Sequence, residues 1–150
     1  MRRPRLKRCT LGGVPAGSFR ALVESHIEPV VVRAGFAEGQ WAVERGPKDD
    51  PVCSVIFCAG SDDYVRRHPH LTDDGPHWGD AHCIDITIAG SMRVGITRFE
   101  VEFVPLGDLL AKAGLRSESE RLPALLALQH PDQDLLQIGG MVSRLYSVQS

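Results

Sequence analysis

Four of the six histidines, His68, His70, His77 and His82, fall within fifteen residues, interleaved with Asp73, Asp74, Asp80 and followed by Cys83 and Asp85. Neutral imidazole and carboxylate are the usual ligands of zinc, nickel or iron, and a His-x-His pair on an extended segment aims both rings at one ion. The cluster is therefore the pattern from which a small metal-dependent enzyme could be built, with zinc or another divalent transition metal held over residues 68–82. Its spacing departs from the familiar template, because a His-x-His-x-Asp-His site needs Asp and His where Thr72 and Asp73 stand. The plain reading of the same residues is a solvated polar loop.

Other chemistry has thinner support. His70-Leu71-Thr72 matches the His-x-Thr element of phosphoesterases that use two imidazoles as acid and base, and no second copy exists. Gly12 to Ser18 precedes a helical pattern, where backbone N–H groups and the helix dipole can hold phosphate. Ser18, however, stands where a P-loop needs its lysine. No G-x-S-x-G elbow occurs. The four cysteines, Cys9, Cys53, Cys58 and Cys83, show no C-x-x-C spacing and are too few for a disulfide scaffold, so reduced thiols are expected. Cys53 and Cys58 are an odd number of residues apart and point to opposite faces of any one strand.

These side chains need elements to position them. Phe19, Leu22, Val23, Ile27, Val30, Val31 and Ala34 recur at three and four, which predicts a helix with one buried stripe, capped by Ser18 and closed by Gly35 with Phe36 folded back on Val31. Pro29 predicts a kink there, or two short helices meeting. After Gly39 the period becomes two: Trp41 and Val43, a turn at residues 46–51, then the apolar run Val52 to Ala59 predict a hairpin. Residues 60–81 show no periodicity and are expected to form a long loop. Ile84, Ile86 and Ile88, and then Phe99, Val101 and Phe103, predict two half-buried strands. Helices follow, one over Leu106 to Ala113, one after a Ser117–Glu120 capping box, and one from Asp132, whose Gly139-Gly140 pair needs a close neighbour. Segregated element types argue for an α+β fold: an N-terminal amphipathic helix, an antiparallel sheet of about four strands, and C-terminal helices on one face. At 150 residues this is a single domain over residues 18–150 behind a basic, flexible leader at 1–17.

The formal charge of −2 averages two unlike parts. The first eight residues hold Arg2, Arg3, Arg5, Lys7 and Arg8, and the other 142 residues carry 12 basic against 19 acidic groups, or −7. An acidic body steers toward basic partners and repels nucleic acid. Five charges on a leader without interleaved aromatics support only salt-sensitive contact with RNA. No apolar stretch follows the basic start and none approaches a membrane span, so a soluble, cytoplasmic protein is expected.

The helix ending in Ala34-Gly35-Phe36, the strands Trp41 to Arg45 and Val52 to Ala59, and the acidic body together resemble small bacterial α+β proteins of the immunity type. Those neutralise a partner toxin by occluding its active site. The resemblance implies a non-enzymatic inhibitor with no cofactor and a basic protein partner. The residues themselves place a candidate surface on a polar sheet face of Asp85, Glu100 and Glu102, with Thr87 alongside, and on the long loop. Tyr64 and Trp78 are the expected anchors there, since interface centres favour aromatic rings, unless either folds back on the core. The competing reading is the metal enzyme of His68, His70, His77 and His82.

Overall fold

The computed structural model of the chain describes residues 10–11, 14–45, 51–71, 81–89, 91–98 and 102–147. A small hairpin, β1 (Thr10–Leu11) with β2 (Val14–Pro15), leads into α1 (Ala16–His26) and α2 (Glu28–Arg33). Strands β3 (Gln40–Arg45) and β4 (Pro51–Gly60) follow, then α3 (Ser61–Arg67), a short 3-10 turn at Pro69–Leu71, β5 (Ala81–Ala89), β6 (Ser91–Arg98) and β7 (Glu102–Pro105). Three helices complete the described chain: α4 (Leu106–Lys112), α5 (Arg116–Leu126) and α6 (Pro131–Ser147). Strands β3 to β7 form one antiparallel sheet in chain order, so the class is α+β as expected, with five strands rather than four.

Phe19, Val23, Ile27 and Val31 are spaced by four and are completely buried, so one stripe of the first two helices lies against the core. The break between them falls at Ile27, which leaves Pro29 in the first turn of α2, where its missing N–H costs nothing. At the far end of α2 the Phe36 N–H donates to the Val31 carbonyl and the Gly35 N–H to that of Val32, both at 3.1 Å. Gly35 takes a φ of +106°, which completes a Schellman motif. Gly114 (φ +83°) ends α4 in the same way, with the Leu115 N–H donating to the Leu110 carbonyl at 2.8 Å.

In β4, β5 and β6 the large apolar side chains at every second position are buried. Cys53, Val55 and Phe57 of β4, Ile84, Ile86 and Ile88 of β5, and Met92, Val94 and Ile96 of β6 face the helices. Helix α1 packs on β4 and α4 on β6, while α6 touches α1, α2, α4 and α5. A Cβ added at Gly139 of α6 would run into the His26 carbonyl oxygen of α1, so the two backbones approach only because that side chain is missing. His26 Nε2 pairs with Asp132 Oδ1 at 2.7 Å beside this crossing, and Arg144 donates to the buried Glu118 carboxylate at 2.6 Å to tie α6 to α5. Among the described residues no helix is long and apolar enough to cross a membrane.

Several expectations are corrected. The fifth strand arises because the 81–98 stretch is a hairpin of two full strands, and the Arg98–Phe103 run is split between the end of β6 and the start of β7. Helix α3 occupies part of the expected loop; its one buried ring, Tyr64, anchors it to the core, and Asp63 accepts hydrogen bonds from Arg66 and Arg67 on the outside. Helix α1 begins at Ala16, so Ser18 lies inside its first turn, and β1, β2 and two helical residues fall within the expected leader. Helix α5 starts after Leu115 with no side-chain cap, so Ser117 is not its N-cap. Cys58 and Cys83 stand opposite each other in β4 and β5, with Cα atoms 4.1 Å apart, and form a disulfide where free thiols were expected.

Gly139 and Gly140 make a paired test of the α1–α6 crossing. Gly139→Ala should lower stability by about 1–3 kcal/mol through overpacking. Gly140→Ala, whose new Cβ meets nothing within 4 Å, should leave it unchanged or raised by roughly 0.5–1 kcal/mol through lost chain entropy in the unfolded state. Urea denaturation of both variants checks the sign.

Candidate functional site

The alternation fills the core on one side of the sheet, and among the described residues no helix covers the other side, the open face. Ser54, Ile56 and Cys58 of β4, Cys83, Asp85 and Thr87 of β5, Thr97 of β6 and Phe103 of β7 are half-buried on that face, with Arg93 exposed beside them. The register sets them in rows across the strands: Ser54, Thr87 and Arg93; Ile56, Asp85 and Gly95; Cys58, Cys83, Thr97 and Phe103.

Two local arrangements give this face its chemistry. The Asp85 carboxylate accepts hydrogen bonds from the Thr87 hydroxyl at 3.4 Å and the Thr97 hydroxyl at 3.3 Å, which hold a negative charge at the centre of the face. Phe103 lies across Gly95, whose missing side chain makes room for it: a Cβ there would sit 2.7 Å from the ring. The Arg93 guanidinium covers the same ring with its carbon 3.7 Å from the centroid, a cation–π contact on an exposed surface. The face thus carries two apolar side chains, Ile56 and Phe103, with Asp85 on a strand between them, the Cys58–Cys83 bond in the next row and Arg93 laid over the Phe103 ring.

The register divides the acidic residues that were expected to act together. Asp85 opposes Gly95 and lies on the open face, whereas Glu102 opposes Arg98 and belongs to the opposite set. Through Arg98, Glu102 falls in line with His82, so it lies one residue out of phase with Asp85. Glu100 and Trp78 lie outside the described residues, as does His77; of His70 only the backbone, in the 3-10 turn, is described.

Tyr64 is a core residue and not a surface anchor: it is 2% exposed because α3 turns it inward while Asp62, Arg66 and Arg67 face out. It organises a buried aromatic group. His82 stacks on it face to face (4.2 Å between centroids, 6° between planes), and His68, Phe36 and Tyr146 meet its edges or faces at 5.2 to 6.1 Å. His68 also donates from Nε2 to the Ala34 carbonyl at 3.1 Å; since a carbonyl only accepts, the proton sits on that nitrogen. Thus the structure brings two of the four histidines to one place, both packed against a tyrosine ring. Among the described residues no group of three or more His, Cys, Asp or Glu side chains is placed to share a metal ion. Tyr64 and His82 also line a cleft of about 120 Å³ walled by Leu71, Ile96, Val104 and Leu109, with Asp108 and Lys112 of α4 at its edge.

Ile56, Arg93 and Phe103 were not singled out as site residues by sequence reasoning. One signal was present: Gly95 interrupts the alternating run Met92, Val94, Ile96, and a glycine inside a strand marks a close approach by another group.

Burial, reinforced by the neighbouring Tyr64 hydroxyl 3.4 Å away, raises the Tyr146 phenol well above its ordinary value of 10.0. Burial likewise raises the Cys53 thiol above 9.0, with Arg20 opposing. In both groups the fold favours the protonated form, so their contribution to stability is complete below the unfolded values and is lost as pH climbs past them. Urea midpoints measured from pH 8 to 11 should therefore fall on the alkaline side, and Tyr146→Phe should make that fall shallower; an unchanged slope in the variant would exclude Tyr146 as a source. No protein-family model, curated protein or solved structure matches this chain.

Proposed function

We propose that this chain is a non-enzymatic binding protein of the inhibitory, immunity type, which docks a basic protein partner across the open face of its sheet. The observation that carries the reading is the one-sided burial of the sheet, with Ile56 and Phe103 half-buried on the face away from the helices. Interface centres favour aromatic and arginine side chains, and the Phe103–Arg93 pair on the same face as Ile56 has that composition. Asp85, already oriented by two threonine hydroxyls, supplies an acceptor for a lysine or arginine of the partner.

The acidic surplus of the body acts at longer range. A charge of −7 over residues 9–150 raises the encounter rate with a basic partner in a salt-dependent way, while the short-range contacts of the face set the dissociation rate. The metal-enzyme alternative gains no support from the placement of His68 and His82, which would have to leave the ring cluster around Tyr64 to meet zinc.

The partner class to test is a basic protein, and a toxin-like reading frame beside this gene, where one is found, is the first candidate. It should co-purify with the chain, and Ile56→Arg and Asp85→Arg should each weaken binding at least about tenfold, equivalent to roughly 1.4 kcal/mol. Leu136→Arg, at an exposed position on α6 that is 58% accessible, should bind as the unaltered protein does. Calorimetry on variants with unchanged circular dichroism decides the matter, and wild-type affinity in both face variants would remove this face from the binding role.

A further inference from the structure

We infer that Cys58 and Cys83 form a thiol–disulfide exchange site that operates in the folded protein, with low-molecular-weight thiols as the co-reactant. Three observations lead there. Both cysteines are half-buried on the open side of the sheet, where a small thiolate can reach them. The bond joins directly opposed residues of neighbouring strands, and β4 and β5 are already paired from Cys53↔Ile88 to Gly60↔Ala81 without it. Reduction therefore breaks no connection that the backbone ladder does not also make. Cys53, by contrast, lies on the helix side and is 1% exposed, so burial withholds it from the same reagents and leaves Cys58 and Cys83 with only each other as described partners.

The exchange balances as two displacements. A thiolate attacks one sulfur of the pair, forms a mixed disulfide with it, and expels the other cysteine as a thiolate that takes a proton from water. A second thiolate attacks the external sulfur of the mixed disulfide, releasing the remaining cysteine and the oxidised form of the small thiol. Two electrons pass from the small thiols to the protein disulfide, and an oxidised small disulfide reverses the sequence.

Cys53 provides an internal clock for the test. Native full-length protein prepared without reductant is treated with dithiothreitol or with reduced glutathione, quenched with one alkylating label, then unfolded, fully reduced and labelled with a second; peptide mass spectrometry reads each cysteine separately. Cys58 and Cys83 should take the first label together, at a rate roughly a hundredfold or more above that of Cys53, with near-ultraviolet circular dichroism still native and with oxidised glutathione restoring the bond. Labelling of the pair only in step with Cys53 would mean that reduction waits for global unfolding and would overturn the inference. So would finding both thiols free in the starting protein. Cys53→Ala protein, with far-ultraviolet circular dichroism as the unfolding reporter, should exchange at the unaltered rate; slowed exchange in that variant would also count against a site confined to Cys58 and Cys83.

Discussion

Burial of only every second sheet residue is the constraint on which the rest of the molecule depends. A five-strand sheet covered on both faces would read as continuous apolar runs, whereas here Ile84, Ile86 and Ile88 alternate with Cys83, Asp85 and Thr87. The apolar set draws the helices to one side and commits all of them to that side. What remains opposite has no helix to satisfy, so its side chains can be chosen for other purposes: a charge held by two threonines, an arginine laid over a phenylalanine, a bond between neighbouring cysteines.

The helical layer achieves its density through small residues at crossing points and through charge pairs at its margins. Gly139 lets α6 sit against the end of α1, and the His26–Asp132 and Glu118–Arg144 pairs flank that contact at either end of α6. Glu118 is buried while Arg144 is largely exposed, so the pair draws its worth from satisfying a carboxylate that would otherwise be stranded. In the same layer the ring cluster around Tyr64 accepts two histidines at the cost of desolvating them, and their polar atoms are accommodated by specific geometry such as the His68–Ala34 hydrogen bond. His68 and His82, which look like ligands in the sequence, thus become packing groups once α3 brings Tyr64 against them.

Much of this architecture was legible in the residues alone, and the exceptions have physical causes. Spacings of three and four and of two revealed α1, α2, β3 and β5, a short apolar run revealed β4, and the glycine at position 35 marked its own turn. Helix α3 was hidden because seven residues held by Asp63 and two arginines carry no apolar stripe. Glu102 was assigned to the wrong face because its face follows from pairing with Arg98 of β6, a register that periodicity within one stretch does not contain. Pairing of Cys58 with Cys83 depends on inter-strand register over a separation of 25 residues, and single-sequence periodicity contains no information about register. The open face suffered the same limitation: Asp85 was recognised as one of its members, while Ile56, Phe103 and Arg93 are joined to it only by pairing between strands.

The chain-order arrangement of the five strands also has a kinetic side. Every strand finds its partner in the segment just before or just after it, so the sheet can be built hairpin by hairpin without the long crossover that a parallel pairing requires. Short loops close at small entropic cost, and topologies dominated by near-neighbour contacts reach their native state quickly for their size. Such a sheet can assemble in the direction of synthesis, each strand meeting a partner that has already left the ribosome.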